Sequence, residues 1–369
     1  MTTKGLIVHE WIERIGGAER VVDAFAALHP EADLFCLWND HPDRYRDGRV
    51  HESRLARTPF RGRKAASLPV MPAVWRHDIA RVGTYDWALV SSHLFAHHAR
   101  VKGVAPERQF TYAYTPARYL WTPELDERGQ SAAVRAVAPF FRGIDRRNAA
   151  GLRNLAVVSE FVRERVARTW GVDSAVIAPP VDVERVRTAV REVDALDTRD
   201  RHLLESMPDG FVLSASRFVP YKRLEVAIAA GEASGRPVVI AGSGPDEARL
   251  RALAVESSAD VRIVIAPSDA LLACLLERAS VFVFPAVEDF GIIPVEAMAV
   301  GTPVLVADTG GTRETVTERA GVRLPDFEPS TLRAAVDTAV RLDPAHCRAG
   351  ADVFAPARFD AEVSAWMSL

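Results

Sequence analysis

At 369 residues the chain is too long for one ordinary core and fits two domains of Rossmann size. Hydrophobic content of 48% and charged content of 26% are those of a globular protein, and a formal net charge of -3 gives no electrostatic reason to expect nucleic acid. Cys36, Cys274 and Cys347 are widely spaced and form no CxxC pair, no apolar run reaches about 18 residues, and Lys4 leads straight into a strand, so a soluble, cytoplasmic protein without a zinc or disulfide framework is expected.

In chain order, Leu6-Ile-Val8 predicts a first strand. A turn carrying Gly16 and Gly17 follows, then an amphipathic helix with Val21, Val22, Phe25, Ala26 and Leu28 inward. A glycine pair at this point lets backbone amides face a phosphate, and equally serves as a tight turn. Ala32 to Leu37 predicts a second strand. Arg54, Arg57, Arg61, Arg63 and Lys64 make a basic run around Phe60, either a solvated face or a docking surface for anionic lipid or a diphosphate-bearing acceptor. Tyr85 to Ser91 reads as a strand with Ser92-His93 opening a helix, and Gln109 to Tyr114 as another strand, ending at Thr115-Pro-Ala-Arg118-Tyr119. Strand ends are where an α/β sheet holds its ligands, which singles out His93, Tyr114 and Arg118. Residues 131 to 150 read as a helix and Leu155 to Val158 as a strand. Ser159 caps a helix through Trp170, with Glu160, Glu164 and Arg165 on its wet side. The pair Pro179-Pro180 and the charge-rich stretch after it predict a linker over 181–208.

The alternation then repeats. Strands are predicted at Phe211 to Ala215, Pro237 to Ala241, Val261 to Ile265, Val281 to Phe284 and Val304 to Val306, each followed by a helix, which means a parallel sheet covered on both faces. Arg217 and Lys222 follow the first of these strands, Gly242-Ser-Gly244-Pro245 the second, and Glu288-Asp-Phe290-Gly291-Ile292-Ile293-Pro294-Val-Glu296 the fourth. Pro294 suits the first position of a helix, which puts Glu296 in that helix's first turn. Gly291 permits close backbone approach, and the N–H groups of Ile292 and Ile293 offer an anion site between two carboxylates. Two cations with glycine turns fit a diphosphate, and the glutamates fit sugar hydroxyls. Glu247 stands where a dinucleotide fingerprint needs its third glycine, which disfavours NAD. Lys4, Lys64, Lys102 and Lys222 are the only lysines, so one in a motif position carries more weight. Phe359 to Trp366 predicts a terminal helix.

Glu288 and Glu296 in an EX7E pattern, Ser216-Arg217-x4-Lys222, Gly242-x-Gly244-Pro245 and Gly16-Gly17-Ala-Glu19 together resemble a GT-B glycosyltransferase of family 4 over nearly the whole chain. Val8-His-Glu10-Trp11, Ser91-Ser-His93, Tyr114-Thr-Pro-Ala-Arg118-Tyr119-Leu-Trp121 and Val219-Pro-Tyr-Lys222-Arg223 are similar to its O-antigen mannosyltransferase-like branch. The resemblance implies an α/β fold of two Rossmann-like parallel-sheet domains facing across a cleft. Residues 1–180 with the C-terminal helix 356–369 would bind the acceptor, and residues 209–355 the nucleotide sugar.

It implies a retaining hexosyltransferase that uses a nucleotide diphosphate sugar, GDP-mannose favoured and a UDP-sugar admissible, with no metal or other cofactor. Arg217 and Lys222 would bind the diphosphate, with Gly242 and Gly244 beside it and Gly16 or Gly17 from the opposite domain. Glu288 would hold donor-sugar hydroxyls beside the Phe290, Gly291, Ile292 and Ile293 backbone, and Glu296 the ribose. The family's histidine is replaced by Tyr114, a poor base near neutral pH, which makes His93 the substitute candidate. Glu10, Arg118 and Tyr119 are the acceptor-side candidates. Glu10 stands where the branch often has aspartate. Lipid-linked oligosaccharide and small-molecule aglycone both stay open as acceptor, and Arg54 to Lys64 suggests peripheral membrane contact. The alternatives are a sugar phosphorylase or epimerase on the same fold, and a non-catalytic nucleotide-sugar-binding module.

Overall fold

Gly-Leu-Ile-Val at Gly5–Val8 is buried along its whole length and forms β1, as a strand covered on both faces must. It heads a seven-stranded parallel sheet with β2 (Asp33–Cys36), β3 (Val50–Glu52), β4 (Trp87–Ser92), β5 (Gln109–Ala113), β6 (Asn154–Val157) and β7 (Ala175–Val176), in the order β3-β2-β1-β4-β5-β6-β7. A six-stranded parallel sheet follows, from β8 (Val212–Arg217), β9 (Val238–Ser243), β10 (Val261–Ile265), β11 (Val281–Phe284), β12 (Val304–Ala307) and β13 (Gly321–Leu324), in the order β10-β9-β8-β11-β12-β13. The computed structural model describes residues 4–14, 16–46, 48–123, 129 and 131–368. It divides into two units, Met1–Pro180 with Phe359–Leu369, and Val181–Arg358.

In both sheets the chain lays strands outward on one side, then returns to lay the next strand against the other side of the first. The reversal falls between β1 and β4 in one unit and between β8 and β11 in the other. Beyond the carboxyl ends of strands at such a reversal, neighbouring loops run to opposite faces and leave a crevice.

The core of the first unit is aromatic. Trp38, Trp75 and Phe35 are buried within it, with Phe35 edge-on to Trp75 at 6.0 Å. Helix Gly17–Leu28 turns Val21, Val22, Phe25 and Ala26 inward as its 3.6-residue period requires, and Phe359 of the last helix, Pro356–Trp366, packs at 5.4 Å from Phe25. The second unit has a separate aliphatic core around Val212, Ile240, Val283 and Leu305.

Four local readings change. Residues 181–208, expected as a linker, lie within the second unit and fold into helices Val183–Arg191 and Thr198–Ser206, capped by Asp182 and Asp197. Their apolar stripes are narrow, Val183 and Val186 on one and Leu204 on the other, so the dense charge between them mimics a loop. Arg165 is buried rather than wet, donating to Thr115 at 2.7 Å with its guanidinium over the Phe161 ring. His93 does not open a helix; the next helical turn is Ala96–His98. Helix Ile292–Ala299 starts two residues before Pro294, which is tolerated there because first-turn N–H groups have no intrahelical acceptor. Glu296 consequently falls beyond the first turn.

Candidate functional site

In the second unit the residues expected to bind donor converge at the reversal. β8 ends in Arg217, exposed, with its Nη2 donating to the Tyr221 hydroxyl at 3.1 Å. Lys222 closes the 3-10 turn Pro220–Lys222 that follows. Its ammonium lies 5.2 Å from the centroid of Phe284, the last residue of β11, and donates to Glu288 Oε1 at 2.6 Å. The two side chains are 11% and 16% exposed, open enough to meet a ligand and shielded enough for their charges to matter. The Glu288 carbonyl accepts the Gly311 N–H at 2.7 Å, which holds the loop against the segment after β12. Phe290 is buried edge-on to Phe354 at 5.3 Å.

Gly291 caps helix Ile292–Ala299 at φ 93, in the left-handed region where a side chain is strained, and aims the first-turn N–H groups of Ile292 and Ile293 away from the helix. Glu296, one turn further on, is buried, and its Oε1 accepts from Arg185 Nη2 at 2.9 Å. Gly242 and Gly244 have a reason independent of any ligand. A Cβ on Gly242 would lie 1.9 Å from the Ser216 carbonyl oxygen, so the ends of β8 and β9 can approach only without side chains there.

In the first unit the corresponding reversal holds a second cluster. Glu10, just past β1, is fully buried and is wrapped by donors from the end of β4. Its Oε1 accepts the N–H groups of Leu94 and Ala96, both at 2.9 Å, and its Oε2 lies 3.1 Å from His93 Nδ1. Burial would raise the Glu10 pKa, but the His93 charge and these hydrogen bonds outweigh it and hold the group well below the usual carboxylate range. His93 is the converse: burial opposes its proton, and the Glu10 charge and hydrogen bond raise its pKa. The ring stands edge-on to Trp11 at 4.9 Å and keeps 25% of its side chain exposed. Glu10 therefore cannot meet an acceptor itself; it holds His93, which can.

Tyr114 makes hydroxyl contacts at 3.0 Å with Ser91 Oγ and at 3.1 Å with the Ala18 carbonyl, and burial lifts its pKa far above the ordinary phenol value. Gly16 caps helix Gly17–Leu28 and Gly17 is its first residue. The loop before them is braced by Arg44, which donates to the Glu13 and Arg14 carbonyls at 3.3 Å each. Arg118 starts the short helix Arg118–Trp121, and Tyr119 lies in the aromatic core rather than at a surface.

Sequence reasoning gave no separate role to His9, whose Nδ1 is 3.0 Å from Ser91 Oγ and whose buried Nε2 makes no hydrogen bond among the described residues. Its place directly after β1, at the reversal, was the available signal. It also missed a buried cluster behind Glu10. Ser92 Oγ donates to Glu10 Oε1 at 3.3 Å and contacts His97 Nδ1 at 3.1 Å. His97 Nε2 and His98 Nε2 each lie 2.9 Å from Asp145 Oδ1, while Trp121 and Trp170 donate to Oδ2 at 2.7 and 2.8 Å.

His9, Glu10 and His93, and likewise His97, His98 and Asp145, have ligand atoms close enough together to hold a metal ion. Both carboxylates already accept several N–H or O–H donors, an arrangement that favours a hydrogen-bonded anion over a metal ligand.

Burial, reinforced by the neighbouring histidine charge, pushes His9 down to about 4 and His98 down to about 4. The unfolded chain protonates both near 6.5, so the stability they contribute is present above that pH and is lost as pH falls toward 4. Each is worth about 3 kcal/mol over the whole window. The unfolding midpoint of the first unit is accordingly expected to fall steeply between pH 6.5 and 4.5, as followed by tryptophan fluorescence. An unchanged midpoint would show that these histidines are not held neutral.

Of the basic run, Arg54 pairs with Asp78, Arg61 with Asp40 and Glu52, and Lys64 with Glu13, so only Arg57 and Arg63 carry no ion pair among the described residues. No helix among the described residues is long and apolar enough to cross a membrane.

Residues 197–351 match the family model described as glycosyl transferases group 1. The chain is 30% identical over 200 residues to the GDP-mannose-dependent alpha-(1-6)-phosphatidylinositol monomannoside mannosyltransferase of Mycobacterium tuberculosis, covering 49% of this chain and 50% of that one. It is 23% identical over 220 residues to the O-antigen chain mannosyltransferase RfbU of Salmonella typhimurium, covering 55% and 59%. The chain thus spans about half the length of the curated relatives it matches. Among solved structures it superposes on Anabaena HepE in complex with UDP and glucose with a TM-score of 0.67, at 14% identity and over 99% of both chains. The fold is GT-B, and the match to the group 1 glycosyl transferase model falls within the second unit.

Proposed function

We propose that the chain is a retaining glycosyltransferase of family 4 that moves a hexose, mannose favoured, from a nucleotide diphosphate sugar to an acceptor hydroxyl. The observation that carries this reading is the Lys222–Glu288 pair, 2.6 Å apart at the β8/β11 reversal. A cation and a carboxylate placed side by side fit a ligand that presents an anionic diphosphate next to sugar hydroxyls. Glu296, further along the same loop and helix, is the ribose acceptor in this reading, and GDP is favoured as carrier because the mycobacterial relative's name specifies GDP-mannose.

In the reaction the bond between the anomeric carbon and the diphosphate oxygen breaks, and a bond from the same carbon to the acceptor oxygen forms on the same face. The acceptor proton passes to the departing phosphate oxygen, so no strong protein base is required, in keeping with a Tyr114 that stays protonated. Arg217 and Lys222 stabilise the charge that develops on the leaving diphosphate. His93, whose pKa the Glu10 charge and hydrogen bond raise, is the hydrogen-bond donor of the acceptor-side cluster. Arg57 and Arg63 remain for an anionic acceptor or lipid surface.

The test is a thermal shift of the purified protein against GDP, UDP, dTDP, ADP and NAD in the presence of a chelator. A ligand at 100 times its dissociation constant stabilises by about 2.7 kcal/mol, a readily seen shift. GDP is expected to give the largest rise. A larger rise with UDP or dTDP would overturn the donor while leaving the phosphate site, and no response to any nucleoside diphosphate would overturn the function.

A further inference from the structure

Two short turns of the first unit are fastened together by an ion pair. Arg54 opens the 3-10 turn Arg54–Arg57 that follows β3, and Asp78 stands directly before the 3-10 turn Ile79–Arg81. The Arg54 backbone N–H donates to Asp78 Oδ2 at 2.9 Å and its Nε donates to Oδ1 at 2.8 Å, with Asp78 itself buried. In a 3-10 turn, residues three apart stand one above the other. Arg57 therefore follows Arg54, and Arg81 follows Asp78, along the same sides of the two turns; the Arg81 N–H bond to the Asp78 carbonyl at 3.0 Å marks that spacing. Where a second ion pair would complete the ladder, the chain carries two guanidiniums.

Arg57 and Arg81 both line a cleft of about 400 Å³, together with Phe35, Val50, Glu52 and Val82, a volume within the range of small-molecule sites. Neither arginine makes an ion pair among the described residues. The carboxylates of the cleft are already engaged. Asp78 serves Arg54, and Glu52 Oε1 accepts the Asn39 N–H at 2.6 Å and lies 3.3 Å from Arg61 Nη1. Two like charges held around one cleft repel each other, and an anion between them turns that repulsion into attraction. A guanidinium presents a planar fork of donors that matches a phosphate, while Phe35, Val50 and Val82 offer the rest of a ligand an apolar contact. β3 is the outermost strand of its sheet, with β2 between it and β1, so this cleft is separate from the Glu10–His93 cluster at the reversal.

We propose that the cleft binds a phosphate monoester with an apolar substituent, the phosphate held by Arg57 and Arg81 and the substituent lying against Phe35, Val50 and Val82. This narrows the role given to Arg57 above and rests on no part of the donor site. The same chemistry is offered by a soluble alkyl phosphate and by a lipid phosphate at a bilayer surface.

The experiment titrates wild type, Arg57→Gln, Arg81→Gln and, as a charge-matched control, Arg251→Gln with hexyl phosphate and with inorganic phosphate in a calorimeter. Arg251 is an exposed residue of the second unit paired with Glu247. Wild type and Arg251→Gln are expected to bind hexyl phosphate at one site and more tightly than inorganic phosphate. Arg57→Gln and Arg81→Gln should each weaken it by about tenfold or more, the scale of a hydrogen bond to a charged group. Cosedimentation with phosphatidylcholine vesicles, with and without phosphatidic acid, identifies the source. Capture by phosphatidic acid that both variants lose assigns the site to a lipid phosphate, and hexyl phosphate binding without capture assigns it to a soluble ester. No binding of either probe by wild type overturns the inference, as do variants that bind like wild type, an equal loss in Arg251→Gln, or inorganic phosphate bound as tightly as the ester. The nucleotide thermal shift is a separate readout, so failure of the proposed function leaves this test intact.

Discussion

Lys222→Ala is expected to lower turnover by about 10²–10³-fold, the usual cost of removing one preorganised electrostatic donor from a transition state. The substitution does two things at once. It removes the cation that the proposed reaction sets against the leaving diphosphate, and it leaves the Glu288 carboxylate, whose Oε1 sits 2.6 Å from Nζ, without that charge beside it. An anionic ligand would then be repelled where it is now attracted, so the Michaelis constant for donor should rise as kcat falls. Lys222→Arg should recover only part, because a planar fork does not reproduce a point charge in a space set by Glu288 and the Phe284 ring. Stability should change little, since Glu288 keeps contact with solvent. Turnover of Lys222→Ala within threefold of wild type, in a donor-saturated assay, would remove this residue from the chemistry.

The largest stability effect is expected at Asp145. Two histidines and two tryptophans converge on its carboxylate from Ala96–His98, Arg118–Trp121 and Glu160–Trp170, and all of them but the half-buried Trp121 are shut off from water. Asp145→Ala breaks a buried charged network, at a cost of about 3–5 kcal/mol. For a unit of this size that lowers the unfolding midpoint on the order of 10 °C. Asp145→Asn keeps the shape but turns an amide donor toward other donors, and should fall between the two. Differential scanning calorimetry checks the series, and a midpoint for Asp145→Ala within about 2 °C of wild type would contradict the network's role. Because His97 reaches Ser92, which reaches Glu10, the same variants should also weaken whatever His93 does.

Much of this was readable before any coordinates. Runs such as Val281-Phe-Val-Phe284 and Val304-Leu-Val306 read as strands covered on both faces, and glycine and proline marked where each one ended, so the repeated strand–helix order followed from the pattern, while the GT-B fold was implied by the motif resemblance. Shorter elements escaped. Val50–Glu52 and Ala175–Val176 lie on the edges of their sheet, where partial exposure erases the apolar signal. Sequence composition also cannot distinguish a charge at the surface from a charge whose partner is distant in the chain. Glu10 read as an acceptor-side contact and Arg165 as a solvated helix residue until the donors from residues 92–96 and the acceptor Thr115 were brought to them by the sheet. Arg185 carried no signal at all: its target is 111 residues away, and the helix that delivers it was disguised by its charge.

The two units differ in how the ribosome delivers them. Val181–Arg358 is one uninterrupted stretch, whereas the other unit includes Phe359–Leu369 as well as the first 180 residues. Phe359 is fully covered, 5.4 Å from Phe25 and 6.1 Å from Tyr112, so those two rings lack that neighbour while the second unit is being made. Domains fold as they emerge, at about 5–20 residues per second. The first unit to be translated is therefore the last to be finished. For about 10–40 s of synthesis the packing around Phe25 and Tyr112 is short of one ring, and a chain cut short before Phe359 would stay so.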